Sequence, residues 1–207
     1  MFRDRVEAGD RLAERLRGRV GDDAVVLAIP RGGVVVGARV ARALGAPLDV
    51  VVPRKLGAPG NPELGIGAVA PGVRVLHEDL IARLRVTVEE LEAETQVQLR
   101  EVERRTARYR GSRDAPAVAG RPAIVVDDGV ATGGTVLAAA AWAREHGASR
   151  VVLAVPVLPA SIVPQLAEAA DEVVWVEAPR RFGSVGEWYL DFTQVSDAEV
   201  TAALADG

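Results

Sequence analysis

The 207-residue chain contains no cysteine, which excludes disulfides, thiolate nucleophiles and cysteine-ligated zinc. Its two histidines, His77 and His146, lie too far apart for the i, i+4 pair of a helical metal motif. No run of about 18 apolar residues occurs, so no membrane-spanning helix is expected. The opening Met1-Phe2-Arg3-Asp4-Arg5 alternates charges where a secretion signal needs an apolar stretch, and the expectation is a soluble, cytoplasmic protein without a membrane partner. Aromatic residues are scarce, at 4% against 49% hydrophobic, which suits parallel strands buried under helices better than an aromatic-rich sandwich. Lysine is nearly absent: of 25 cations only Lys55 is a lysine. Set against 29 acids they leave a net charge of −4, too balanced for a protein that neutralises a nucleic-acid phosphate array. The arginines around 100–113 are likewise interrupted by Glu101 and Glu103, and no nucleic-acid partner is expected.

What the chain does have is a series of short, Val-rich apolar runs at 24–29, 48–52, 122–126, 150–155 and 172–176, bounded by Gly, Pro or Asp. Such runs read as strands buried on both faces. Helix-length segments at 34–44, 135–146 and 160–170 alternate with them, which predicts a doubly wound, mostly parallel α/β sheet. Runs at 65–70 and 73–77, separated by Pro71-Gly72, read as a hairpin at one edge. Residues 2–18 place Phe2, Val6, Leu12, Ala13 and Leu16 near helical spacing, with arginines and acids between them that read as a solvated face. Segment 87–110 breaks the alternation. Thr87 and Glu90 form a capping box, and Val88, Leu91, Thr95, Leu99, Val102, Thr106 and Tyr109 make one narrow stripe on a helix of about 35 Å. Such a helix either projects beyond the body or is covered by a second copy in a homodimer. Residues 111–121 read as the linker back into the sheet.

The strongest signal follows the strand at 122–126: Asp127-Asp128-Gly129-Val130-Ala131-Thr132-Gly133-Gly134-Thr135, then an Ala-rich helix. Two acids at the carboxyl end of a buried strand sit where open α/β sheets bind ligands. The small residues after them let backbone N–H groups approach an anion at a helix start, where the dipole also favours negative charge. Acids repel phosphate but accept hydrogen bonds from a diol, so the pattern suits a ribose 5-phosphate. An ordinary turn capped by Thr135 would explain neither acid.

These residues resemble the PRPP-binding signature of the type I phosphoribosyltransferases. The resemblance implies that Asp127 and Asp128 hold the ribose hydroxyls and that Ala131, Thr132, Gly133, Gly134 and Thr135 bind the 5-phosphate. Ala28-Ile29-Pro30-Arg31-Gly32-Gly33 is similar to the family's pyrophosphate loop, which often contains a cis peptide not made to proline. Arg54 and Lys55 precede a Gly/Pro-rich stretch, 56–63, in the region of the family's mobile loop. Arg31, Gly32, Gly33, Arg54 and Lys55 are therefore implied to address the pyrophosphate. Phe182 through Phe192 resembles the hood of purine-specific members, with Phe182 or Trp188 stacking on the base and Asp191 helping to hold magnesium. The whole chain, 1–207, then reads as one phosphoribosyltransferase domain, with a hood made of about 177–207 and the N-terminal helix. A stand-alone subgroup of predicted phosphoribosyltransferases shares the Phe-x-Asp-Arg start and the Arg-Lys-x-Gly-Ala-Pro-Gly-Asn-Pro-Glu run.

Two departures bear on the acceptor. Where hypoxanthine-type members have an acid before the Thr-Gly pair, this chain has Ala131, as adenine-type members do, so Glu63 is the candidate base. The Lys that reads the purine oxo group has no counterpart at Val157-Leu158-Pro159. The expectation is a magnesium-dependent transfer from PRPP to a nucleobase-like acceptor, with Asp128, Lys55 and Glu63 as candidate catalytic residues. The alternative is a PRPP- or nucleotide-binding regulatory module without catalysis.

Overall fold

The computed structural model describes residues 1–111, 113 and 117–205; residues 112 and 114–116 of the expected linker, and 206–207 of the expected hood, lie outside the described residues. The chain runs through α1 (Arg5–Leu16), β1 (Val25–Ala28), α2 (Gly32–Leu44), β2 (Leu48–Val50), β3 (Arg54–Ala58), β4 (Asn61–Ala70) and β5 (Val73–Leu76). It continues through α3 (Glu78–Leu84), α4 (Val88–Arg110), β6 (Pro122–Val126), α5 (Gly134–Glu145), β7 (Arg150–Val157), α6 (Val163–Ala169), β8 (Glu172–Glu177) and α7 (Asp197–Ala205).

Five strands form a parallel sheet in the order β2-β1-β6-β7-β8. Successive side chains point to opposite faces, so continuous Val/Ala/Leu runs supply both cores. Val26, Ala28, Ile124, Val126, Val152 and Ala154 pack with α1, α2 and α7, while Val25, Leu27, Ala123, Val125, Val151 and Leu153 pack with α5 and α6. The excursions through α2 to β2 and through α5 to β7 leave the adjacent central strands β1 and β6 in opposite directions. That reversal opens a crevice at the carboxyl ends of β1 and β6. Ala28 is in register with Val126, so the loops after the two strands emerge side by side.

The Pro71-Gly72 hairpin forms, between β4 and β5, but it does not extend the parallel sheet. With β3 it makes a separate antiparallel sheet, because Ala68 and Ala70 pack beneath α5 while Leu56, Ile66 and Val69 pack beneath α4. The 56–63 stretch is part of this sheet and not a loop. Lys55 pairs with Ala68 and Leu56 with Gly67, the register shifts at Gly57, and the chain turns at Pro59-Gly60. Gly57 is there for close strand approach, since a Cβ would sit 2.7 Å from Pro62 Cα.

The capping box starts α4 as expected, and Thr95, Val102 and Tyr109 are buried, whereas Val88 is 78% exposed. Part of the stripe is covered by the same copy of the chain. Leu91, Leu99 and Val102 lie on the antiparallel sheet, and the Tyr109 hydroxyl donates to Asp197 of α7 at 2.7 Å. The short α3 has too few residues for a periodic signal, and its Leu80 and Ile81 join the same cluster.

In α1, Asp4 caps the helix by accepting from the Glu7 N–H, and Ala8, Leu12, Ala13 and Leu16 are buried. Val6 is exposed, and Phe2 lies outside the helix, bridged to Tyr189. Phe2 N–H donates to Trp188 O at 2.7 Å and Leu190 N–H to Phe2 O at 2.9 Å, which joins the N-terminal residues to the C-terminal segment. Helix α1 crosses α2 at Gly9, where a Cβ would lie 2.7 Å from Arg39 Cβ and 3.0 Å from Val36 O. Gly9→Val should therefore destabilise the fold by about 1–3 kcal/mol through overpacking. The check is a urea midpoint that falls with unchanged slope; an unchanged midpoint would show that the two helices separate freely.

Candidate functional site

The crevice is built from two strand-to-helix turns. After β1, Ile29 N–H donates to Val126 O at 2.8 Å, the Pro30–Arg31 peptide is cis, and α2 begins at Gly32. After β6 come Asp127 and Asp128, and α5 begins at Gly134 behind Gly133, whose φ is +88°. Neither helix start is closed by a side-chain cap. The first N–H groups of both helices therefore lack intrahelical partners, and both dipoles favour negative charge at the same crevice. Thr135 lies inside the first turn and is not the cap.

The two turns touch. A Cβ on Gly33 would meet Asp127 Cα at 2.9 Å, and one on Gly32 would lie 1.9 Å from Asp128 Oδ2. The consecutive glycines after Arg31 are what let the loops meet. Asp127 Oδ1 accepts from the Asp128 N–H at 2.8 Å. Burial and the adjacent Asp128 charge push the Asp127 carboxyl well above the usual carboxylate range.

Two residues that the sequence reading did not place in the site hold Asp128. Arg5 Nε donates to Asp128 Oδ2 at 2.7 Å, so Arg5 is not part of a solvated face of α1. Helical periodicity could place Arg5 only on α1; that α1 lies against the β6 loop is a tertiary fact. The Tyr189 hydroxyl donates to Asp128 O at 2.5 Å. Its pKa is raised by burial and by the charge of Asp128, which keeps it a donor. The aromatic C-terminal segment was the signal for Tyr189, but the choice among its rings was not visible in sequence.

The other candidate residues divide. Ala131 and Thr132 are exposed at the mouth of the turn, and Gly133 is buried. The Arg31 guanidinium lies 3.9 Å from Asp197, so its side chain is turned toward α7 while its backbone stays at the turn. Arg54 and Lys55, adjacent on β3, point to opposite faces. Arg54 Nε donates to Gln98 of α4 at 3.0 Å, and Lys55 lies across Gly65 with Nζ donating to Glu63 O at 3.0 Å. Gly65, which the Lys55 side chain crosses, lines one open cavity with Thr132. The Glu63 side chain is 95% exposed and is not brought to the acids. Phe182 and Trp188 pack with Phe2, Val157 and Tyr189, and Val185 closes on Gly129, where a Cβ would be 2.5 Å from Val185 Cγ1. Asp191 is exposed, and its Oδ1 accepts from the Thr193 N–H and hydroxyl at 2.9 and 2.6 Å. Among the described residues no group of three or more His, Asp or Glu is arranged to hold a metal ion, and no described helix is long and apolar enough to cross a membrane.

A family model described as "Phosphoribosyl transferase domain" matches residues 3–183. Two Mycobacterium tuberculosis proteins, one from each of two strains and both named as predicted phosphoribosyl transferases, are 49% identical over 205 residues, 99% of this chain and 46% of theirs. The chain thus spans about half the length of the curated relatives it matches. The crystal structure of the protein TT1426 from Thermus thermophilus is similar at a TM-score of 0.84 and 45% identity, covering 99% of this chain and 98% of that one. A purine phosphoribosyltransferase from Pyrococcus horikoshii shares the fold at a TM-score of 0.50 and 17% identity, covering 93% of each chain.

The raised Asp127 pKa has a stability consequence. A carboxyl whose folded pKa exceeds its unfolded one favours folding below the unfolded value, and that contribution is lost as pH rises through the folded value. Asp127→Asn retains the acceptor for the Asp128 N–H without the charge. It should raise the melting temperature at about pH 8 more than at about pH 4, where the wild-type carboxyl already carries its proton. Thermal unfolding at both pH values checks this, and a shift of equal size at both would count against a raised pKa.

Proposed function

The chain belongs to the phosphoribosyl transferase domain family, and from that premise we propose that it transfers the ribose 5-phosphate of PRPP to a nucleobase-like acceptor and releases pyrophosphate. The observation that carries this reading is the pair of uncapped helix starts flanking Asp127 and Asp128 where β1 and β6 diverge. Two anion sites and a diol acceptor at one crevice match a molecule that has phosphate at one end, pyrophosphate at the other and two ribose hydroxyls between them.

In this reading Asp127 and Asp128 accept the ribose hydroxyls, and the backbone from Ala131 to Thr135 at the start of α5 holds the 5-phosphate. The backbone of Arg31, Gly32 and Gly33 at the start of α2 receives the pyrophosphate. Lys55 is the hairpin cation that offsets charge growing on the leaving group as the C1–O bond breaks. Arg54, bonded to Gln98, supports the hairpin against α4 instead. Phe182 and Trp188 frame the acceptor side. Magnesium enters with PRPP as part of the substrate complex. Among the described residues no ready set of ligands for a resident ion is present, since Asp128 is paired with Arg5 and Asp191 with Thr193. The electron pair of the breaking C1–O bond leaves on pyrophosphate, an acceptor ring nitrogen forms the new bond to C1, and the proton of that nitrogen passes to solvent. Glu63, exposed on the hairpin, is not given the role of base.

Replacing Asp127 and Asp128 together by Asn should weaken Mg-PRPP binding by at least about tenfold in calorimetry, because a hydrogen bond to a charged group contributes about 1.5–3 kcal/mol and Asn leaves only neutral acceptors. Unchanged affinity would remove the ribose assignment. Lys55→Ala should lower turnover more than PRPP affinity, as expected of a group that acts on the leaving pyrophosphate. Wild-type protein that binds Mg-PRPP yet releases no pyrophosphate with any of a panel of purines and pyrimidines would replace the enzyme by a regulatory PRPP-binding module.

A further inference from the structure

Arg5, in the first turn of α1, ends in the crevice and not in solvent. Its side chain and that of Asp128 are 11% and 16% exposed, and Nε meets Oδ2 at 2.7 Å. Its Nη1 donates to Thr193 O at 2.8 Å, and the guanidinium carbon lies 4.0 Å from the centroid of the Phe192 ring. On the opposite side there is no spare room: a Cβ on Gly32 would be 1.9 Å from Asp128 Oδ2 and 2.8 Å from Arg5 Nε. The ion pair is therefore clamped between the β1 turn and the 189–193 segment. The Asp128 backbone carbonyl is held by Tyr189, next to the Phe2 bridge that joins both ends of the chain.

A partly buried ion pair is weak support for stability, since desolvation offsets much of its attraction. Its position is more informative. Two adjacent, partly buried acids repel each other, and a cation paired with one of them offsets that repulsion. Arg5 places a cation against Asp128 through Oδ2 alone, and no protein N–H group donates to Oδ1 among the described residues.

We propose that Arg5 is a positioning residue of the site: through Nε it fixes the Asp128 carboxyl in place by Oδ2, so that Oδ1 is aimed to receive a ribose hydroxyl. This rests on the reading of Asp127 and Asp128 as the diol acceptors. It also makes the C-terminal segment, through Phe192 and Thr193, part of what aims that acid.

The test is a double-mutant cycle read by calorimetry with Mg-PRPP: wild type, Arg5→Ala, Asp128→Asn and the double variant, each checked for native circular dichroism. Arg5→Ala should weaken binding about tenfold in the wild-type background and less than about twofold on top of Asp128→Asn, because its effect passes through that carboxylate. An equal loss in both backgrounds means that Arg5 only supports the fold, and affinity unchanged in Arg5→Ala means that it does not aim Asp128; either overturns the proposal. Should Arg5→Ala fail to fold, Arg5→Lys takes its place. Lysine has one donor group where arginine reaches Asp128 and Thr193 together, and the same non-additivity is expected. Wild type that does not bind Mg-PRPP overturns the ribose reading and this inference together, whereas binding with additive losses overturns only the inference.

Discussion

The contact between the turn after β1 and the turn after β6 is the constraint on which the rest of the site depends. Gly32 and Gly33 sit against Asp127 and Asp128 with no room for a Cβ, and parallel pairing of Ala28 with Val126 brings both turns to the same level. A side chain at Gly33 would press on the backbone of Val126 and Asp127 and force the turns apart, and one at Gly32 would displace the Asp128 carboxyl and Arg5. The sheet topology explains why the contact is possible. Because the chain leaves β1 and β6 in opposite directions, neither α2 nor α5 crosses the crevice, and both present their first N–H groups to it.

That geometry brings an electrostatic problem with it. Two carboxylates are placed side by side with restricted access to water, and the raised Asp127 pKa is its signature. Helix dipoles offset part of the charge, and Arg5 offsets another part by pairing with Asp128. Arg5 in turn is held by Phe192 and Thr193, and these are tied to the N-terminus by hydrogen bonds between Phe2 or Arg3 and residues 188–191. The N-terminal residues and the 188–193 segment are thus joined beside the acids, at the start of the β6–α5 connection.

Much of the fold was legible because the governing signals are local. Val-rich runs, Gly/Pro boundaries and a capping box at Thr87 place the parallel strands and the long helix within a few residues. Local signals failed where a neighbour decides the outcome. The Gly/Pro content of 56–63 reads as a loop, yet Gly57 is small because Pro62 on the neighbouring strand passes close to it. The apolar stripe of α4 suggests a missing partner, but the antiparallel sheet that covers part of it comes from residues tens of positions earlier. Arg5 reads as one of many surface arginines, since nothing in its own helix marks it as different.

The sequence by itself determined the doubly wound class, the Asp127–Thr135 motif and the small residues at both turns, because these follow from side-chain size, strand burial and spacing along one segment. It also marked Lys55 as the lone lysine among 25 cations. Only the tertiary structure decided that Lys55 and Arg54 face opposite ways, that Glu63 stays in solvent, and that Arg5 and Tyr189 hold Asp128. Those outcomes depend on strand pleat and on which distant segments pack together, and neither is encoded in the pattern of any single stretch of chain.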